Sequence, residues 1–399
     1  MAHSLALTIA ALALFIILWT TMLMRVSASG IVHDADLLDG PLELARRGLW
    51  PLGLVVGFTT AFAPLSKYLA MTYVLVGVRM TRPPPNIRGA FLFARRMSIW
   101  AMLDVLLLGA FVAYTKLGDL VHIEVGPAVY ALALLTVVTL WADTALDPDA
   151  VWEAIEHRGL THAPMPPRLG AESHTNEAIG CEGCGFVSFP AAKSGDAPAW
   201  CPRCGSALHP RKPSSTTRTW AYLLAGAILY VPANYYPVLT VIQLGSGEPS
   251  TIVGGVEELI AAHLYPLAIL VLSASVLVPL LKLVGLIMLL RTTRASSHSG
   301  PMGAGLRQKT AIYFIVAWIG RWSMVDIFME SLLGALVQFG GLVTIEPGIG
   351  ALAFCAVVIL TMLSAEAFDP RLMWDAARTP SRPQLPEPSP QAWRPAGDA

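Results

Sequence analysis

Trp100-Ala101-Met102-Leu103-Asp104 and Trp322-Ser323-Met324-Val325-Asp326 are one phrase written twice, each ending on an acid inside an apolar run. The spacing of 222 that joins them also joins Glu124 to Glu346, Asp147-Pro148 to Asp369-Pro370, and Trp152 to Trp374. Earlier in each copy, a spacing of 215 carries Pro51, Pro64 and Lys67 onto Pro266, Pro279 and Lys282. Residues recurring in this order imply an internal duplication. The change between the two spacings places a longer loop in the second copy, most simply the Ser/Gly-rich run 296–305.

The duplicated unit belongs in a bilayer. Hydrophobic residues make up 55% of the chain and charged ones 14%, which lies outside the range of soluble domains. Stretches able to cross a hydrocarbon core fall near 4–23, 50–78, 97–116 and 126–144, and again near 219–240, 263–290, 311–338 and 348–366. The expected fold is therefore an all-α polytopic membrane protein, with eight transmembrane helices arranged as two four-helix repeats at 1–150 and 219–376. The opening stretch has a signal-like site at Ser27-Ala28-Ser29, but Met1 to Ser4 carry no basic residue, so it is read as a helix. The tail 377–399, rich in Pro, Ser and Gln, is too polar to bury a core and is expected to be disordered.

Net charge is zero, so its distribution carries the information. Arg79, Arg82, Arg88, Arg95 and Arg96 lie between the second and third spans, and Arg291, Arg294, Arg307 and Lys309 between the sixth and seventh. Loops 117–125, 241–262 and 339–347 hold neither Lys nor Arg. The basic loops are expected in the cytoplasm, together with both termini and the segment 151–218. Only the loop after the first span departs from the pattern, with Arg25, Arg46 and Arg47 set among Asp34, Asp36, Asp39 and Glu43.

Cys181-x2-Cys184 and Cys201-x2-Cys204 are two metal knuckles, with Gly185 and Gly205 following at the turns. Two such knuckles complete a tetrahedral four-sulfur shell, so a small ribbon of about 178–210 is expected to hold one structural zinc ion. Iron in a rubredoxin-like site is the other choice. A disulfide pair is disfavoured in a reducing compartment. A closed shell leaves no ligand position for catalysis, and Cys355 is read as a small packing residue.

Charged residues inside the spans are the second candidate site. Lys67 lies roughly 18 Å in from Arg79, Lys282 roughly 14 Å from Arg291 and Asp104 roughly 12 Å from Arg96, at the helical rise per residue. Similar depths suggest that Lys67 meets Asp104 and that Lys282 meets Asp326, because an intramembrane charge needs a partner or a wet cavity. Pro64 and Pro279, three residues before the lysines, deprive the carbonyls of Thr60 and Ser275 of a donor and are expected to kink the helices. The second copy adds Arg321, Ser323 and Glu330, the last on the same helical face as Asp326. It also carries Pro232-Ala233-Asn234 with Pro237, where the first copy has Ile17, Trp19 and Met22. Transport or another polar function is expected in the second copy.

These features together resemble the paraquat-inducible protein A family: the cysteine ribbon ahead of a four-helix unit, Pro232-Ala233-Asn234 with Pro237, Pro279 with Lys282, Trp322 to Asp326, and Phe368-Asp369-Pro370 with Trp374. The resemblance covers about residues 4–375. It implies a bacterial inner-membrane protein that moves phospholipid or another envelope lipid together with a periplasmic MCE-domain partner. Family members usually carry a ribbon before each helical unit, and residues 1–4 leave no room for a first one. No Gly-x4-Gly-Lys-Ser/Thr loop is present, so no nucleotide hydrolysis by that route is expected; a transport role of this kind implies neither enzyme activity nor a nucleic-acid partner. Titration of Asp104 or Asp326 would couple transport to a proton gradient. Two other classes stay open on the residues alone: an assembly or stress-response scaffold with structural ion pairs, and a membrane redox protein with iron in the ribbon.

Overall fold

The structure, a computed structural model, describes residues 2–28, 31–117, 122–163, 178–188, 199–243, 246–295, 304–336 and 343–377. The tail from 378 and nearly all of the loop 296–305 lie outside the described residues. Seven described helices are long and apolar enough to cross a membrane: Ala2–Thr20, Trp50–Gly77, Ile87–Lys116, Pro127–Ala145, Tyr265–Arg291, Arg307–Leu336 and Ile349–Ala367. The fifth expected span falls on the helix Ser215–Tyr235. It has the length, at 21 residues, but opens on Ser215-Thr216-Thr217-Arg218 and closes on Asn234-Tyr235, and it is not among the seven.

The expectation of an all-helical chain needs correction. Each half builds a three-stranded antiparallel sheet at one end of its helices. In the first half, strand Met24–Ala28 lies between Ile31–Ala35 and His122–Val125; in the second, Leu239–Gln243 lies between Ser246–Ser250 and Val343–Pro347. Met24 stands opposite Ala35 and Val125, while Leu239 stands opposite Ser250 and Pro347. The registers are thus related by the same two spacings that relate the sequences. Backbone leaving a helix must find new hydrogen-bond partners, and strand pairing supplies them. Strands of four or five residues beside long apolar runs leave too little alternation to read.

The sheets also resolve the exception in the charge pattern. Arg25 faces Asp34 across the strands, with Nε 2.6 Å from Oδ1 and Nη2 3.0 Å from Oδ2. The guanidinium holds the Asp34 carboxyl below the usual carboxylate range. In the following helix Asp39–Arg46, Glu43 accepts from Arg47 at 2.7 Å and lies 3.8 Å from Arg46. Every basic residue of that loop is matched by an acid.

A glycine clamps each sheet to the fourth helix of its half. The amide of Gly126 donates to the Leu23 carbonyl at 2.9 Å, and that of Gly348 to the Val238 carbonyl at 2.7 Å. A Cβ would stand 2.3 Å from the Met22 carbonyl oxygen in the first case and 2.2 Å from that of Pro237 in the second. At the opposite end, Ser4 Oγ donates to the Ala145 carbonyl and Ser215 Oγ to the Ala367 carbonyl.

The halves meet where helix Leu103–Leu117 lies against helix Val325–Leu336, with Gly109 beside Phe328. Helix Asp39–Arg46 packs on the same partner, bringing Gly40 to Ser331. Val325–Leu336 is consequently buried along its whole length. At the end away from the sheets, helices Ile87–Ser98 and Pro148–His157 lay Phe91 against Trp152, with ring centroids 5.2 Å apart, and the four cysteines join that cluster.

Two substitutions test the clamps. Gly126→Ala and Gly348→Ala should each lower the Tm of the detergent-purified protein by an amount worth about 1–3 kcal/mol, since backbone must move to admit the methyl. Gly334→Ala, whose added Cβ would meet nothing within 4 Å among the described residues, should leave stability within about 0.5 kcal/mol of wild type.

Candidate functional site

The second membrane-crossing helix of each half contains a π turn, at Phe58–Phe62 and at Ser273–Leu277. The amide of Ala63 reaches back five residues to the Phe58 carbonyl, and Val278 does the same to Ser273. Pro64 and Pro279 follow immediately, so the widened turn sits where the ladder loses its donor. Thr60 Oγ1 donates to the Val56 carbonyl at 2.8 Å and Ser275 Oγ to Val271 at 2.7 Å. One turn further on come the buried lysines.

Their partners differ from the expected ones. Lys67 Nζ lies 2.8 Å from Asp143 Oδ2 on helix Pro127–Ala145 and is not paired with Asp104. Tyr68 Oη and Thr139 Oγ1, 2.6 Å apart, tie the same two helices. Asp104 is half-buried and makes no ion pair among the described residues. Lys282 does not meet Asp326; its Nζ donates to the Gly320 carbonyl at 2.7 Å. Helix Ala304–Ile319 gives way there to a 3-10 turn, Gly320–Met324, before Val325–Leu336 begins. A break in the α ladder leaves a carbonyl free to accept from elsewhere.

Both lysines nevertheless reach one place. They line a cavity of about 550 Å³ between the halves, walled by Met71, Trp100, Val316 and Met362 and edged by Arg95. Glu366 borders it and is bound by Arg96 at 3.3 Å. The cavity lies toward the end away from the sheets.

The acids of the second half face the other way. Asp326 and Glu330 line a cleft of about 40 Å³ with Lys116, Ser275 and Thr251, next to the second sheet. Asp326 Oδ2, Glu330 Oε2 and Ser323 Oγ are buried with no hydrogen-bond partner among the described residues. An unpaired buried carboxylate is costly enough that protonation or a cation is the usual outcome. Pro232 lies inside helix Ser215–Tyr235, where Asn234 Nδ2 donates to the Tyr230 carbonyl at 2.8 Å. Tyr230 Oη in turn donates to Val276 in the π turn at 3.3 Å, and the Pro237 carbonyl accepts from Gly350. The side chain of Arg321 lies outside the described residues.

The cysteines converge as their spacing requires. Cys181 Sγ is 3.5 Å from Cys204 Sγ and Cys184 Sγ 3.6 Å from Cys201 Sγ, and all four sulfurs lie within 4.8 Å of one another. Gly185 and Gly205 take φ of +76° and +80° while their amides donate to Cys181 and Cys201, closing each knuckle. The set could hold a metal ion. Arg203 anchors it to helix Pro148–His157, with Nη2 3.3 Å from Glu156 and the guanidinium over Phe186 at 5.2 Å.

Sequence reading missed Asp143, Lys116 and the Gly320 carbonyl. Asp143 was visible as an ionisable residue inside the fourth span, a sufficient signal in itself. Lys116 stood at a span end, where snorkelling is ordinary. A backbone carbonyl has no signature at all.

The pattern of a protein family described as paraquat-inducible protein A matches residues 1–156 and 216–378. The chain is 31% identical over 358 residues to the lipophilic envelope-spanning tunnel protein A of Escherichia coli (strain K12), covering 90% of this chain and 78% of that protein. It is 32% identical over 371 residues to the intermembrane transport protein PqiA of the same strain, covering 91% and 84%. A probable intermembrane transport protein of Haemophilus influenzae is 26% identical over 350 residues, covering 86% and 79%. No solved structure matches the chain.

The Lys67–Asp143 pair makes a checkable claim. Asp143→Ala should cost about 1–3 kcal/mol in stability, the half-exposed acid placing it below a fully buried pair. The double variant Lys67→Met/Asp143→Leu should recover most of that loss. Strictly additive Tm shifts would show that the two side chains are not coupled.

Proposed function

The chain belongs to the paraquat-inducible protein A family, and on that premise we propose that it is the inner-membrane component of a lipid transport system, passing lipid between the bilayer and a periplasmic MCE-domain partner. The observation that carries this reading is the cavity between the halves, where apolar walls meet both buried lysines. Such a lining suits an amphiphile, whose tail needs the walls and whose head needs the charges. The named functions of the relatives, an envelope-spanning tunnel protein and intermembrane transport proteins, support the same conclusion.

In this reading the chain forms two four-helix units, 1–150 and 219–376, and the helix Ser215–Tyr235 is the fifth span, bringing the total to eight. The Arg-rich end with both termini and the ribbon faces the cytoplasm, following the positive-inside rule. The sheets then stand in the periplasm. There the partner meets the stretches 31–49 and 244–262; the latter contains helix Ile252–Ala261, with Val253 and Ile260 exposed. Asp326 and Glu330, each with one carboxylate oxygen that has no hydrogen-bond partner among the described residues at the foot of that sheet, take up and release protons and so couple transport to the gradient.

One zinc ion completes the ribbon. Sulfurs 2.3 Å from a tetrahedral centre stand about 3.8 Å apart, close to the spacing found here. Cysteines bind the ion as thiolates, so its uptake releases protons and its affinity falls as pH falls. The ion welds the ribbon to the end of the first unit and performs no chemistry.

Elemental analysis of the purified protein should give one zinc per chain, and Cys184→Ser or Cys201→Ser should lose it together with several degrees of Tm. Iron in its place would overturn the zinc assignment. In cells, Asp326→Asn and Glu330→Gln should abolish the protein's contribution to envelope integrity at normal membrane abundance. Wild-type resistance to detergents in both variants would remove the acids from the mechanism.

A further inference from the structure

The duplication is exact enough to expose a missing charge. Lys67 and Lys282 correspond at the spacing of 215, and the spacing of 222 carries Asp143, the counter-ion of Lys67, onto Ala365. Ala365 lines the shared cavity, as Asp143 does. The second half has therefore kept the buried lysine without its carboxylate. Lys282 is only 2% exposed and spends one N–H on the Gly320 carbonyl, with no ion pair among the described residues. Around the cavity stand the cations Lys67, Lys282 and Arg95 and the acids Asp143 and Glu366, each acid already bound by a cation at 2.8 or 3.3 Å.

We infer that Lys282 and Arg95 bind the phosphate of a phospholipid headgroup, the lipid completing the ion pair that Ala365 cannot make. This rests on the transport reading and names the chemistry its cavity selects. An ammonium is a point charge that suits a phosphate, and a guanidinium adds a fork of donors to the same oxygens. The volume matches sites that enclose a molecule of drug size, so the headgroup and upper chains enter while the tails stay among apolar surfaces. A zwitterionic or anionic phospholipid meets the requirement; a neutral glyceride does not.

The decisive variant restores the acid. Ala365→Asp should give Lys282 its own counter-ion and lower the phosphatidylglycerol bound to the purified full-length protein, read by native mass spectrometry, by about tenfold, with Tm unchanged or raised. Lys282→Gln should lower it similarly, and Asp143→Asn, which frees Lys67, should not. Diacylglycerol should bind weakly to every form. Inorganic phosphate should compete only at concentrations far above those of the lipid. Equal binding of diacylglycerol and phosphatidylglycerol would leave a lipid cavity but overturn the headgroup site. Binding of phosphate without lipid would make it an anion site and overturn the lipid source, and binding of neither would overturn the transport reading itself. Unchanged phosphatidylglycerol in Ala365→Asp would overturn the role of Lys282.

Discussion

Hydrocarbon offers nothing to a polar group, so every donor, acceptor and charge within the bilayer must be answered by the protein itself. The architecture follows from that demand. Helices answer their own backbone; where Pro64 and Pro279 remove a donor, the chain widens into π turns and threonine or serine hydroxyls bond the turn before. Where the third span of the second half breaks at Gly320, the exposed carbonyl is answered by Lys282. Asp143 answers Lys67. Asp326 and Glu330 are the conspicuous places where the demand goes unmet among the described residues.

Met by the same devices twice over, this constraint makes the differences between the halves informative. In the first half the buried lysine is paired, the loop after the first span is matched acid for base, and the ribbon packs against the helices. The second half is open, with a lysine on one side of its broken helix and two acids on the other. A polar group retained at a cost to folding is the usual mark of a working site.

Much of this was legible in the residues. The two spacings of the repeat reappear as strand register, and the cysteine knuckles close as their spacing requires, because short-range covalent geometry leaves few alternatives. Depth along a helix was also readable, as it needs only the rise per residue. Azimuth was not. Lys67 and Asp104 reach similar depths, yet rotation about the helix axes turns Lys67 toward the fourth helix, and nothing in a single sequence specifies that angle. The sheets escaped notice for a different reason: the third strand of each lies about a hundred residues from the hairpin it joins, and no local signal links Met24 to Val125.

The helix Val325–Leu336 is covered on every side, and part of that cover comes from Asp39–Arg46 and Leu103–Leu117 of the other half. A lone second half would lay Phe328 and Ser331 bare, and a lone first half would present Gly109 and Gly40 to nothing. If a four-helix ancestor preceded the fused gene, it must have lived as a pair of identical chains, each shielding the other's third helix. Fusion then released the two copies from identity, so that an aspartate in one can stand where the other has an alanine.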